Sequence, residues 1–167
     1  PLLFLQDVNG FMVGSRAEHN GIIKDGAKMV NVMANSVVPK FTVIIGNSFG
    51  AGNYAMCGKA YDPNLILAWP TAQIAVMGGE QAAKVILKLE EHKLEKDGKS
   101  LNKLEKDNLF KLINERYQNQ MNPYYAASRM WVDEIIDPKE TRLYISKGIE
   151  IANNKSIKEF KTGVIQT

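Results

Sequence analysis

Cysteine and histidine are almost missing from this 167-residue chain: Cys57, His19 and His92 are all it has. A single thiol excludes an internal disulfide and suits a reducing compartment. Zinc sites draw three or four ligands from such side chains, so no metal centre is expected. Long apolar runs are also lacking, and no stretch approaches the ~20 residues that cross a bilayer. Nor is there an excess of one charge. The 21 Lys and Arg against 18 Asp and Glu leave a formal +3, with Lys and Glu interspersed. Neither a nucleic-acid nor a membrane partner is called for.

What is present suits one domain with a real core, since 45% of the residues are hydrophobic. The chain enters at once a strand-like run, Leu2-Leu3-Phe4-Leu5, with no Met or targeting segment ahead of it. It therefore reads as a piece of something longer. Leu2 to Val8 has the pattern of a buried strand, closed by Asn9-Gly10, and the loop Gly10 to Gly14 follows. Ser15, with Glu18 three residues on, fits a capping box. Apolar residues then recur at helical spacing through Ile22, Ile23, Ala27, Val30 and Ala34, until Pro39 forbids continuation. Phe41 to Ile45 reads as a second buried strand. The glycine loop Gly46 to Gly52 leads into a short helix that ends near Tyr61. Leu65 to Trp69 and Ile74 to Met77 are two more strands, and a helix opens at Gly78-Gly79 and runs toward His92. The alternation predicts an α/β layer around a buried sheet.

The texture changes over residues 88–121. Glu90 to Asp107 is rich in Lys and Glu, leucines recur, and Asp97-Gly98 offers a turn. The segment reads as a charged helical hairpin, either a solvated face or a subunit contact. Asn122-Pro123 caps a helix that ends near Trp131. Val132 to Ile136 is a short strand or connector, and Asp137-Pro138 starts a last helix through Ile151. The tail from Asn153 is polar and reads as frayed.

One motif suggests chemistry. Gly46-Asn47-Ser48-Phe49-Gly50 spells G-x-S-x-G, the nucleophile elbow of serine hydrolases. A triad needs a later histidine, and only His92 qualifies, set among Glu91, Lys93 and Glu95. A serine without a positioned base stays a weak nucleophile. A phosphate loop fares no better, because the Gly-Lys-Ser/Thr ending is absent. A third reading uses the backbone. Gly50, Ala51 and Gly52 are small enough to bring a substrate oxygen to the first N–H groups of a helix. Such a donor is worth roughly 3–4 kcal/mol to a developing oxyanion. The same small residues would also suit close helix–strand packing, and spacing alone leaves both readings open. Glu18 and His19 read as an acid–base pair or as a helix start, Lys28 as structural, and Cys57 as a small buried hydrophobe.

Several blocks then carry a resemblance. They are Phe4-Leu5-Gln6-Asp7-Val8-Asn9-Gly10-Phe11-Met12-Val13-Gly14, Asp25 to Val30, Gly50-Ala51-Gly52-Asn53-Tyr54-Ala55-Met56-Cys57-Gly58, Trp69 to Ala72 and Val76 to Ala83. Asn122 to Arg129 and Ile135 to Pro138 complete them. In this order they resemble the carboxyltransferase β subunits of biotin-dependent acyl-CoA carboxylases, and they span nearly the whole chain.

The resemblance implies an α/β crotonase-like spiral of ββα units, with residues 1–167 forming part of the C-terminal carboxyltransferase domain. It implies that an N-terminal domain binds the acyl-CoA, while the C-terminal domain of a neighbouring subunit in a homo-oligomer receives carboxybiotin. Biotin would arrive on a separate carrier domain, from a biotin carboxylase/biotin carrier subunit, and no metal is implied here. By motif, the N–H groups of Ala51 and Gly52 would form the oxyanion hole for the ureido oxygen. Gly10, Phe11, Met12, Val13, Gly14, Gly50, Asn53 and Tyr54 would line the biotin site. The carboxyl group would pass to an acyl-CoA enolate, with the released biotin anion as the base. Gly-Phe-Met-Val-Gly and Asn53-Tyr54 look like the 3-methylcrotonyl-CoA branch. Geranyl-CoA enzymes share much of that spelling, whereas propionyl-CoA enzymes usually show Gly-Phe-Leu-Pro-Gly. Residues 90–108 depart from the family blocks in length and charge. Two readings follow: a carboxyltransferase half-site, inactive in isolation, or a catalytically silent assembly domain. The compartment implied is the bacterial cytoplasm or the mitochondrial matrix.

Overall fold

The computed structural model describes residues 1–156 and 159. Its organising element is β2 (Lys40–Phe49), a ten-residue strand whose first five residues are all buried. Phe41, Thr42, Val43 and Ile44 leave neither face suited to water, as in a parallel strand covered on both sides. β2 pairs in parallel with β1 (Leu2–Val8), β3 (Leu65–Ala68) and β4 (Gln73–Ala75), and β3 pairs in parallel with β5 (Glu134–Ile135). Leu5 and Leu67 flank Val43 in register.

Side chains alternate between two cores, as the strand period of two requires. Phe41, Val43 and Leu67 pack with Ile136 and with Ile145 and Ala152 of α7 (Thr141–Asn153). Ile44, Ile66 and Ala68 pack with Ala72, Val132 and Ala126 of α6 (Pro123–Ser128). The parallel sheet within α/β layers agrees with the expected fold class. Asp133 fastens the β3 side, accepting from the Ile66 amide at 2.7 Å and from Lys59 Nζ at 2.8 Å.

Four local expectations change. β1 is a strand but not a buried one. Leu2, Leu3 and Leu5 are exposed and only Gln6 is fully enclosed, because β1 lies at the sheet edge with no covering layer among the described residues. The helix after it is split into α1 (Ser15–His19) and α2 (Ile22–Asn35), interrupted at Asn20-Gly21. Ser15 is the first helical residue rather than the cap. Gly14 holds the cap position and no side chain caps it, so the Ser15–Glu18 box does not form. Finally, the supposed loop Gly46 to Gly52 is not a loop. β2 continues through Phe49, and α3 (Gly50–Ala55) begins at the next residue.

Helices α4 (Gly79–Lys96) and α5 (Lys103–Met121) pack on each other, with the connection at Asp97 to Asn102. The hairpin therefore begins at Gly79 rather than near residue 88. Lys106 reaches across to Glu91 at 2.6 Å. A capping box that the sequence reading missed starts α5. Asn102 Oδ1 accepts from the Glu105 amide at 2.9 Å, and Glu105 Oε2 accepts from the Asn102 amide at 2.8 Å. Asn122 caps α6 through the Tyr125 amide at 2.9 Å, as expected. Asp137 caps a 3-10 turn over Pro138–Glu140 that leads into α7. Asn153 closes α7, and most of the polar tail expected beyond it lies outside the described residues.

Loss of a helix cap costs about 1 kcal/mol. Asn102→Ala is accordingly expected to lower the thermal unfolding midpoint by a few degrees, with faster amide exchange confined to α4 and α5. An unchanged midpoint and exchange pattern would contradict the cap.

Candidate functional site

β2 passes directly into α3 at the sheet end, the chain changing direction at Gly50. Gly50 has φ +56°, and a Cβ there would lie 2.8 Å from the Val76 carbonyl oxygen. Only glycine meets both demands without strain. As first-turn residues, Gly50, Ala51 and Gly52 have N–H groups with no carbonyl to take inside the helix. Beside them opens a cleft of about 610 Å³, walled by Gly50, Ala51, Asn53 and Tyr54, by Ile74 to Val76, and by Trp131. Its lining is largely apolar. Trp131 stands edge-on to Tyr125 at 5.9 Å, and the Arg129 guanidinium lies 4.6 Å over the Tyr125 ring.

A closed polar network underlies the cleft. Gln6 Nε2 donates to the Met56 carbonyl at 2.7 Å and to the Asn53 carbonyl at 3.3 Å. Gln6 Oε1 accepts from Ser48 Oγ at 2.6 Å and, at 3.5 Å, from Asn53 Nδ2. Asn53 Nδ2 also donates to Ser48 Oγ at 2.7 Å. Ser48 is 0% exposed, with its proton given to Gln6 and a lone pair given to Asn53. Neither histidine is near. His92 bonds Glu95 at 3.1 Å on the surface of α4, and His19 is exposed at the end of α1. The serine-hydrolase reading is thereby overturned. Ser48 is a strand residue whose hydroxyl is spent on holding the site together.

The expected site residues separate into two groups. Gly50, Ala51, Asn53 and Tyr54 line the cleft, and Tyr54 meets Tyr61 edge-on at 6.4 Å. Gly52 is buried just behind, where a Cβ would lie 2.7 Å from Val8 Cγ2 and 3.1 Å from Gly10 Cα. Its smallness therefore also serves helix–strand packing. The loop Gly10, Phe11, Met12, Val13, Gly14 does not line the cleft. Gly10 approaches Gly52, the Phe11 ring lies over Gly26 of α2, and Gly14 precedes α1. Met12 and Val13 stand 74% and 87% exposed, so within this chain they are neither cleft wall nor core.

Glu18 and His19 are both exposed and form no cap. Lys28 pairs with Asp25 at 3.5 Å in the open, where such a pair is worth little. Cys57 is fully buried, as expected, and burial pushes its thiol above the ordinary range, with Lys40 only partly opposing. The sequence reading passed over Gln6 and Trp131. An amide following four apolar residues of the strand, Leu2 to Leu5, was the available signal for Gln6. Among the described residues, no cluster of three His, Cys, Asp or Glu side chains could hold a metal ion. No helix among them is long and apolar enough to cross a membrane.

Residues 1–164 match the family model of the carboxyl transferase domain. The chain belongs to that family. Over 166 residues, 99% of the chain, it is 48% identical to a probable mitochondrial methylcrotonoyl-CoA carboxylase beta chain of Drosophila melanogaster, covering 29% of that protein. It is 45% identical, again over 99% of its length, to the biotin-dependent 3-methylcrotonyl-coenzyme A carboxylase beta1 subunit of Mycobacterium tuberculosis, covering 31% of it. The crystal structure of the P. aeruginosa geranyl-CoA carboxylase beta subunit superposes with a TM-score of 0.83 at 39% identity, over 99% of this chain and 31% of that one. The chain thus spans about three-tenths of the length of these relatives.

With Ser48 enclosed and its hydroxyl engaged, a fluorophosphonate probe is expected to leave the folded protein unlabelled. Stoichiometric labelling at Ser48 would contradict the arrangement of Gln6, Ser48 and Asn53.

Proposed function

We propose that this chain supplies the carboxybiotin half of a carboxyltransferase site, completed by the N-terminal domain of a neighbouring subunit that binds the acyl-CoA. The observation that carries the proposal is the junction of β2 and α3. Two small residues bring first-turn amides to a largely apolar cleft that holds no side chain arranged as nucleophile or general base among the described residues. The cleft, about 610 Å³ with peptide donors at one wall, suits a compact apolar bicycle with a polar ureido edge.

Carboxybiotin, when bound, would supply an activated carboxyl group beside a ureido oxygen able to carry negative charge. The N–H groups of Ala51 and Gly52 would donate to that oxygen. They are fixed before the charge develops, so little reorganisation is needed at the moment of transfer. Gly50 sets the entry angle of α3. Asn53 is held by Gln6 and Ser48, and Tyr54 and Trp131, which line the cleft, would flank the ring and exclude water. The loop Gly10 to Gly14 touches the back of α3 at Gly52, and its exposed Met12 and Val13 would be available to the neighbouring domain or carrier in an assembled oligomer. The substrate is 3-methylcrotonyl-CoA, in keeping with the names of the relatives from D. melanogaster and M. tuberculosis. The name of the M. tuberculosis relative also supports biotin as the group delivered, and the two relatives together support a bacterial or mitochondrial setting.

The test uses the full-length subunit with its biotin-carrying partner, ATP and labelled bicarbonate. Avidin-sensitive fixation into 3-methylcrotonyl-CoA, above propionyl- and geranyl-CoA, is the expected result. No fixation by folded, assembled protein would favour a catalytically silent assembly domain. Gly52→Val, which must push α3 away from Val8 and Gly10, is expected to lower carboxyl transfer by about 100-fold or more while the oligomer persists. Retained transfer would remove Ala51 and Gly52 from the chemistry.

A further inference from the structure

We propose that Gln6 is a positioning residue for carboxyl transfer, aiming the first-turn amides of α3 without touching the substrate. This rests on the half-site reading above. Gln6 is the one fully buried residue of β1, a strand whose leucines face solvent. Burying an amide side chain is costly unless its hydrogen bonds are all made. Here they are: two carbonyls of the α3 segment accept from Nε2, and Ser48 and Asn53 donate to Oε1. With both donors and both lone pairs committed, Gln6 has nothing left to offer a ligand, although it lies at the floor of the cleft.

Its leverage comes from the length of α3. Six residues make less than two turns, so the segment moves as one short rod. Gln6 holds the rod at Asn53 and Met56, and Val8 and Gly10 press on it at Gly52. Two points of support fix the direction of the Ala51 and Gly52 N–H groups. Releasing the first lets the rod tilt about the second, and a misplacement near 1 Å at a reacting centre costs about 100-fold in rate.

Gln6→Met keeps the size and removes the hydrogen bonds. Val43→Ala, a core truncation away from the cleft, provides a control for general destabilisation. Both are made in the full-length subunit, assembled with its biotin-carrying partner, and their unfolding midpoints are compared. Gln6→Met is expected to lower kcat of carboxyl transfer about 100-fold with KM for 3-methylcrotonyl-CoA unchanged, while Val43→Ala at a similar midpoint stays close to wild type. A kcat for Gln6→Met close to wild type, or an equal fall in Val43→Ala, would overturn the role. Should Gln6→Met fail to assemble, Ser48→Ala removes two bonds of the same network, to Gln6 Oε1 and from Asn53 Nδ2. A fall in kcat of roughly tenfold or more with KM unchanged would support the role, and an unchanged kcat would overturn it. Gly52→Val separates the two levels. If it is inactive while Gln6→Met is active, only the positioning role fails; if it is fully active, the amide reading itself fails.

Discussion

The buried amide of Gln6 is the constraint on which the site's geometry turns. One side chain joins an edge strand, the central strand and the segment around α3, through Ser48, Asn53 and the carbonyls of Asn53 and Met56. A polar network of this kind is a liability if any member is left unpaired, and it is rigid when all are paired. Elsewhere in β2 the buried polar side chains make separate bonds, Thr42 Oγ1 to the Cys57 carbonyl at 2.8 Å and Lys40 Nζ to the Met33 carbonyl at 3.2 Å. This corner cannot slip without stranding buried donors and acceptors. That intolerance is what a binding surface made of backbone amides requires, since amides have no side-chain freedom with which to compensate.

The larger architecture serves the same end. Lys40 to Ile44 of β2 are buried between cores that draw on α6 and α7, and its C-terminal end is paired with β4. Its register with β4 sets Phe49 against Ala75, which places the Val76 carbonyl over Gly50. The cleft therefore forms between two adjacent strand ends and the helix that leaves one of them, with Trp131 closing a side from behind α6. Ligands commonly gather outside the carboxyl ends of parallel strands for this reason. The exposed leucines of β1 and the exposed tip of the loop after it leave apolar surface open in this chain, which accords with the proposal that another domain completes the site.

Much of this was legible in the residues. The β-branched run at Phe41 to Ile45, the Asn122-Pro123 cap and the Asp97-Gly98 turn each specify local structure by chemistry that survives folding unchanged. The failures share a cause. Leu2 to Leu5 reads as buried because apolar composition says nothing about whether a covering layer is present. Gly46 to Gly52 reads as a loop because glycines are turn formers, yet here they permit a strand to pass directly into a helix at close quarters. Ser15 reads as a cap, but the turn is made one residue earlier. At the site, the small residues Gly50 to Gly52 were visible as a group, whereas the partners of Ser48 were not. Gln6 lies more than forty residues away in sequence, and only the parallel pairing of β1 with β2 brings it under the helix.

The most direct measurement is the crystal structure of the full-length oligomer with biotin bound. The ureido oxygen is expected to lie about 2.7–3.1 Å from the backbone nitrogens of Ala51 and Gly52, with the ring between Tyr54 and Trp131 and the Gln6–Ser48–Asn53 bonds intact. A bicycle seated away from α3, with those two amides bonded to protein groups instead, would contradict the assignment of the site.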